Sequence, residues 1–95
     1  MAYNVAVVGA TGAVGREMLQ TLFERKFPVK NIYALASKSS LGKEVSYGDD
    51  KVLKVKSVDD FNFENVDIAL FSAGSNIAKK FAPVAGNKGC IVIDN

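Results

Sequence analysis

Four short apolar runs, at residues 5–8, 32–36, 68–71 and 91–93, punctuate this chain, and none alternates with polar residues. An uninterrupted apolar strand needs cover on both faces, the condition of a parallel sheet between helices. Between the first two runs, residues 13–26 place Val14, Met18, Leu19, Leu22 and Phe23 on one helical stripe. Arg16, Glu17, Gln20, Glu24 and Arg25 lie largely off it. Phe27-Pro28 ends that helix, because the residue before proline is biased out of the helical region. A second helical pattern covers residues 76–88, with Ile77, Phe81, Val84 and Ala85 as its apolar stripe. Pro83 is expected to kink or divide it, and Gly89 suits its C-terminal end.

The middle of the chain follows another period. In "EVSYGDDKVLKVKSV" the turn residues Gly48-Asp49-Asp50 separate two partly alternating runs. Val45 and Tyr47 share one face, as do Leu53 and Val55, with Lys54 and Lys56 opposite. The pattern predicts a β-hairpin whose lysines suit a sheet edge. "SVDDFN" starts one helical turn with Ser57 as its cap. The order strand, helix, strand, hairpin, strand, helix, strand predicts an α/β fold. It is a Rossmann-like, mostly parallel sheet with helices on both faces, and a β-hairpin replaces one crossover helix. Right-handed crossovers put the first strand in the centre.

Composition narrows the functional classes. Ninety-five residues make one domain. Two prolines, eight glycines and a 48% hydrophobic content argue against disorder. Twelve basic and ten acidic residues leave a net charge of +2, too balanced for a nucleic-acid or membrane partner. One cysteine, Cys90, and no histidine exclude an internal disulfide and argue against a zinc site. No secretory signal is evident, and no apolar run reaches membrane-spanning length. The expected setting is a reducing cytoplasm.

The candidate chemistry lies where the strands end. The first strand runs into Gly9, Gly12 and Gly15, a G-x-x-G-x-x-G spacing in "VAVVGATGAVGREML", and a helix follows at once. The N–H groups and dipole of a helix N-terminus attract anions, and glycine lets a pyrophosphate approach without meeting a Cβ atom. Gly12 is the residue for that approach, and Gly15 the one for tight helix–strand packing. Thr11, Ala13 and Val14 offer backbone N–H groups, Thr11 also a hydroxyl. A glycine-rich turn with no ligand is the alternative.

The second strand ends in "ALASKSS". NAD-binding domains carry an acid here to hold the ribose 2′-hydroxyl. This segment has Ser37, Lys38, Ser39 and Ser40 and no carboxylate until Glu44. Hydroxyls and a cation accept a 2′-phosphate that an acid would repel, which favours NADP over NAD; a polar loop with a solvated lysine is the alternative. The third strand ends in "FSAGS". Its small residues let a ligand lie across the sheet's carboxyl edge. Ser72 and Ser75 have hydroxyls to donate to ribose or phosphate, and Ser75 suits equally a helix cap. Cys90 opens a buried run with no histidine to activate it, so it reads as a core thiol. Asp94 and Asn95 point to the cofactor edge or form a turn.

Together "VAVVGATGAVGREML", "ALASKSS", "VDIALFSAGS" and "VIDN" resemble the N-terminal NADP-binding motifs of aspartate-β-semialdehyde dehydrogenase, in order and spacing, over essentially the whole chain. The resemblance implies a parent enzyme that reductively dephosphorylates β-aspartyl phosphate with NADPH to aspartate semialdehyde and phosphate. That reaction feeds lysine, threonine, methionine and diaminopimelate synthesis, and the full enzyme is expected to be a homo-oligomer. By the same resemblance Gly9, Thr11, Gly12, Ala13 and Val14 bind the pyrophosphate, and Ser37 to Ser40 the 2′-phosphate. Ser72, Ala73, Gly74 and Ser75 lie near the cofactor. The family often has arginine where this chain has Ser39; Lys38, one place earlier, cannot reproduce the bidentate fork. The family's catalytic cysteine and histidine and its substrate-binding arginines have no counterpart in these residues. The chain therefore reads as residues 1–95 of a cofactor-binding domain, without the catalytic and dimerisation domain, that binds NADP without turnover. The alternatives are the related domain of N-acetyl-glutamyl-phosphate reductase and a stand-alone NADP-sensing module.

Overall fold

The computed structural model describes residues 1–72 and 75–94. Its elements in chain order are β1 (Tyr3–Val8), α1 (Ala13–Glu24), β2 (Val29–Ala36), β3 (Glu44–Tyr47), β4 (Lys51–Lys54), β5 (Lys56–Ser57), β6 (Ile68–Phe71), α2 (Ser75–Asn87) and β7 (Ile91–Asp94). Five strands form one parallel sheet in the order β5-β2-β1-β6-β7, with β1 central as the apolar runs predict. The alternation of a strand sorts its residues between two layers. Val5 and Val7 join Leu19 of α1, Ile32, Ala34 and Ala36 on one face. Ala6 and Val8 join Phe71 of β6 and Ala78, Phe81 and Ala85 of α2 on the other. Val5, Ala6, Val7 and Val8 are all buried, which is why that run cannot alternate.

The hairpin is present, but not on the sheet's edge. β3 and β4 pair only with each other, as a separate antiparallel sheet, and β5 supplies the edge beside β2. Burial decides the placement: Val45, Leu53 and Val55 point into the core layer that holds Leu19. The hairpin thus lies in α1's layer, where a crossover helix would otherwise lie. Phe23 meets Tyr47 edge-on, ring centroids 5.6 Å apart. Gly48 turns at φ +80° directly under the Phe23 ring, where a side chain would collide.

The helices depart from their predicted stripes in instructive ways. α1 ends at Glu24, and its fully buried residues are Gly15 and Leu19. Val14 and Phe23 are exposed, because Gly15 brings the helix backbone against the sheet and turns Val14 aside. α2 begins one residue earlier than predicted and runs unbroken through Pro83. Pro83 lies on the exposed side of the helix, as does Lys79, the residue whose carbonyl the missing N–H would otherwise serve. Ala78 is buried in α2's contact face and Val84 is exposed. Gly89 closes the helix, donating to the Gly86 carbonyl at 3.0 Å.

Between β5 and β6 the chain makes two short 3-10 turns. The first, Val58–Asp60, has the predicted cap: the Ser57 hydroxyl accepts from the Asp59 N–H at 3.3 Å. The second, Phe63–Asn65, the pattern did not predict; Asn62 caps it and it buries Phe63. At the amino ends of the strands, the Asp67 carboxylate accepts from the Asn4 N–H at 2.8 Å, and the Asn31 amide donates to the Asn4 side chain at 2.9 Å.

One part of the α1 face has little cover. Ile91 and Ile93 on β7 are 64% and 50% exposed, and pair in register with the half-buried Ile68 and Leu70. Val14, Met18 and Leu22 border the same strip. A contiguous apolar surface of this kind drives association. Static light scattering should therefore show an average mass that rises with concentration, and Ile93→Lys should suppress the rise. A constant monomer mass at high concentration would contradict this reading.

Candidate functional site

The carboxyl ends of β1, β2 and β6 converge on one place. At the end of β1 the chain turns through Gly9 at φ +89°, a conformation that disfavours any side chain. The Gly9 and Ala10 N–H groups both donate to the Leu35 carbonyl of β2, at 2.8 and 3.1 Å. The Gly9 carbonyl accepts from the Gly12 N–H at 3.1 Å. α1 begins immediately afterwards.

The three glycines do different work. A Cβ on Gly15 would overlap the Gly9 carbonyl oxygen and come within 2.8 Å of the Ala10 Cα. Gly15 is thus required by the fold, as the spacing predicts. Gly12 is another matter. Its φ of −80° suits any residue, and a Cβ there would meet only the Gly9 oxygen, at an ordinary 3.6 Å. Among the described residues, nothing requires glycine at that position.

Gly12 is also the N-cap of α1, with no side-chain cap and no acid in the first turn. Among the described residues, the N–H groups of Ala13, Val14 and Gly15 find no acceptor. Gly12, Ala13 and Val14 are all exposed. The result is an open helix N-terminus, the arrangement that binds an anionic group.

The segment after β2 reaches the same place. Residues Lys38–Ser40 form a 3-10 turn, which puts the buried Ser40 hydroxyl 3.5 Å from that of Thr11. That is contact at the outer limit of hydrogen bonding. The Ser37 and Ser39 hydroxyls pair at 2.8 Å. Lys38 and Ser39 are exposed, and among the described residues Lys38 forms no ion pair. Thr11 and Ala13 also open into a groove of about 680 Å³ that runs along Arg16 and Gln20 to Glu44 and Ser46 of β3. Sequence reasoning missed this groove, because it exists only where the hairpin lies beside α1.

From β6 the structure brings in Ser72. Its hydroxyl donates towards the Val8 carbonyl at 3.0 Å and the Gly9 carbonyl at 3.2 Å. The sequence suggests that this hydroxyl donates to ribose or phosphate; in the structure its proton is directed at the turn. Ser75 opens α2. The readings for Ala73, Gly74 and Asn95, and for the Ser75 side chain, lie outside the described residues. Asp94 ends β7 opposite Phe71, exposed at the same sheet edge.

Cys90 is a core thiol. It is 9% exposed and donates to the carbonyls of Val66 at 3.1 Å and Phe63 at 3.4 Å. Burial pushes its pKa above the ordinary value, and the Asp67 charge adds to the shift. A reactive thiolate needs the opposite.

A parallel sheet with a glycine turn feeding an open helix N-terminus defines a dinucleotide-binding α/β domain. Comparison with known proteins specifies which. Residues 4–95 match the family described as semialdehyde dehydrogenase, NAD binding domain, and the chain belongs to that family. An aspartate-semialdehyde dehydrogenase of Rickettsia bellii is 59% identical over 92 residues, 97% of this chain and 27% of that protein. The crystal structure of aspartate semialdehyde dehydrogenase II from Vibrio cholerae, complexed with ASA, superposes with a TM-score of 0.94 at 47% identity. The match covers 100% of this chain and 31% of the Vibrio chain. An aspartate semialdehyde dehydrogenase from Candida albicans, solved with NADP, shares the fold at a TM-score of 0.77 and 21% identity, over 100% of this chain and 30% of its own. This chain thus spans a little over a quarter of the length of the curated relatives it matches.

The thiol yields a test. The folded chain holds the Cys90 proton to higher pH than the unfolded chain does. Its contribution to stability is therefore full below the ordinary thiol pKa of 9.0 and is lost as pH rises from there towards the folded value. Iodoacetamide should alkylate the native chain at least about tenfold more slowly than the denatured one at pH 8. Denaturant melts should show stability falling above pH 9, a slope that Cys90→Ala reduces. Equal alkylation rates would contradict the assignment.

Proposed function

We propose that this chain is the NADP-binding domain of an aspartate-semialdehyde dehydrogenase. Gly12 carries the reading. The fold has room for a side chain there, the backbone tolerates one, and the free N–H groups of Ala13 and Val14 lie beside it. A glycine that the chain itself does not need is explained by a pyrophosphate approaching from outside.

On this reading Gly9, Thr11, Gly12, Ala13 and Val14 hold the pyrophosphate, with Gly15 seating the helix beneath it. Ser37, Lys38, Ser39 and Ser40 receive the 2′-phosphate. The absence of an acid from that turn favours NADP over NAD, since a carboxylate would repel the extra charge. Ser72, Ala73, Gly74, Ser75 and Asn95 border the cofactor on the β6 side. When bound, the reduced cofactor supplies a hydride. In the whole protein that hydride reduces β-aspartyl phosphate to aspartate semialdehyde with loss of phosphate, a step of amino-acid biosynthesis in the cytoplasm. The relatives' shared name supports aspartate semialdehyde as one of the two reactants. These 95 residues hold no histidine, and their one thiol is buried and hydrogen-bonded. The family resemblance implies chemistry on a cysteine thiolate and a histidine, and on this reading that chemistry falls to residues outside them.

Calorimetric titration with NADP and NAD tests the assignment. A hydrogen bond to a charged group carries about 1.5–3 kcal/mol, roughly ten- to a hundredfold in affinity. NADP should bind more tightly than NAD, near the lower end of that range, because Lys38 is exposed. Lys38→Ala should weaken NADP and leave NAD nearly unchanged, and Ser39→Arg should strengthen NADP. Equal affinities for the two cofactors would overturn the NADP assignment.

A further inference from the structure

We infer that Ser72 is a positioning residue for the pyrophosphate turn, acting through the Gly9 carbonyl and not as a ligand; the inference rests on the nucleotide-binding reading above. The peptide unit between Gly9 and Ala10 is rigid and planar, so fixing its two polar ends fixes the plane. Its N–H end donates to the Leu35 carbonyl at 3.1 Å, which ties it to β2. Its C=O end accepts from the Gly12 N–H at 3.1 Å and from the Ser72 hydroxyl at 3.2 Å. The same hydroxyl lies 3.0 Å from the Val8 oxygen, and the Ser72 N–H donates to that oxygen at 2.8 Å. Ser72 therefore holds β6 to the last residue of β1 and to the first residue of the turn at once.

Gly9 is the residue about which this peptide could rotate, since it has no side chain and sits at φ +89°. The Gly12 N–H is oriented by the Gly9 carbonyl, and the N–H groups of Ala13 and Val14 follow it in the helix. Loss of the Ser72 hydroxyl leaves the carbonyl with one donor in place of two. The N–H groups that meet the anion then lose part of their preorganisation, while the strand pairing of Ser72 survives.

The test compares Ser72→Ala with Ser72→Thr, which keeps the hydroxyl. Hydrogen exchange of the Gly12 amide, measured without ligand, should accelerate about three- to tenfold in Ser72→Ala, the factor of one neutral hydrogen bond. It should return towards wild type in Ser72→Thr. Calorimetry should show ADP and NADP weakened by the same factor in Ser72→Ala. Adenosine 2′-phosphate, which has no pyrophosphate, should be unchanged. Unaltered Gly12 exchange would overturn the inference. So would a loss confined to NADP with ADP unaffected, the mark of a direct contact beyond the pyrophosphate. An equal loss for adenosine 2′-phosphate would mark general loosening and would overturn it too. If the wild-type chain binds neither ADP nor NADP, the nucleotide reading fails, while the Gly12 exchange still decides whether Ser72 orders the turn.

Discussion

The Gly9 carbonyl stands where three elements meet. It accepts from the Gly12 N–H and the Ser72 hydroxyl, and it lies so close to the Gly15 Cα that no side chain fits there. β1 can feed α1 through so short a turn only because that oxygen has a fixed place. The close approach at Gly15 lets the α1 backbone settle on the sheet and brings Leu19 into the core beside Val5 and Val7. From that seating follows the layer into which the hairpin packs, with Phe23 over Gly48. The open N-terminus of α1 follows from it as well, since the turn leaves Gly12 as a cap with no side chain to fill the position.

The constraint explains how a small domain builds its site from backbone. The helix start offers the backbone N–H groups of Ala13, Val14 and Gly15 and one exposed cation, Arg16, and Lys38 of the second turn is exposed as well. Such a site depends on the rigidity of what lies beneath it. β2 supplies the Leu35 carbonyl and β6 the Ser72 hydroxyl, so the turn is held from both neighbouring strands. The candidate site and the strand order are linked in this way, because the turn follows β1, whose neighbours in the sheet are β2 and β6.

Much of this was legible in the sequence, and the exceptions share a cause. The uniform apolar runs gave the parallel sheet, because a strand buried on both faces cannot alternate. The spacing of Gly9, Gly12 and Gly15 placed the turn between β1 and α1 and marked Gly15 as the packing residue. What failed depended on tertiary neighbours. Val84 fits a helical stripe as well as Ala78 does, and only the position of the sheet decides which is buried. The hairpin's lysines suited an edge, but Val45, Leu53 and Val55 had a core to fill. Pro83 looked like a break because sequence does not show which side of the helix meets water. The sequence also does not show that two carbonyls lie within reach of the Ser72 hydroxyl.

The central claim is that Gly12 serves a bound molecule and Gly15 serves the fold. Gly12→Ala, examined by thermal melting and by NADP titration, addresses it most directly, with Gly15→Ala as its comparison. The account predicts that Gly12→Ala melts within about 5 °C of wild type, since alanine at an N-cap costs on the order of 1 kcal/mol or less. It also predicts that NADP binding falls at least about tenfold, because the added methyl occupies the approach of the pyrophosphate. Unchanged NADP affinity in a folded Gly12→Ala chain would contradict it, as would a loss of stability as large as that of Gly15→Ala.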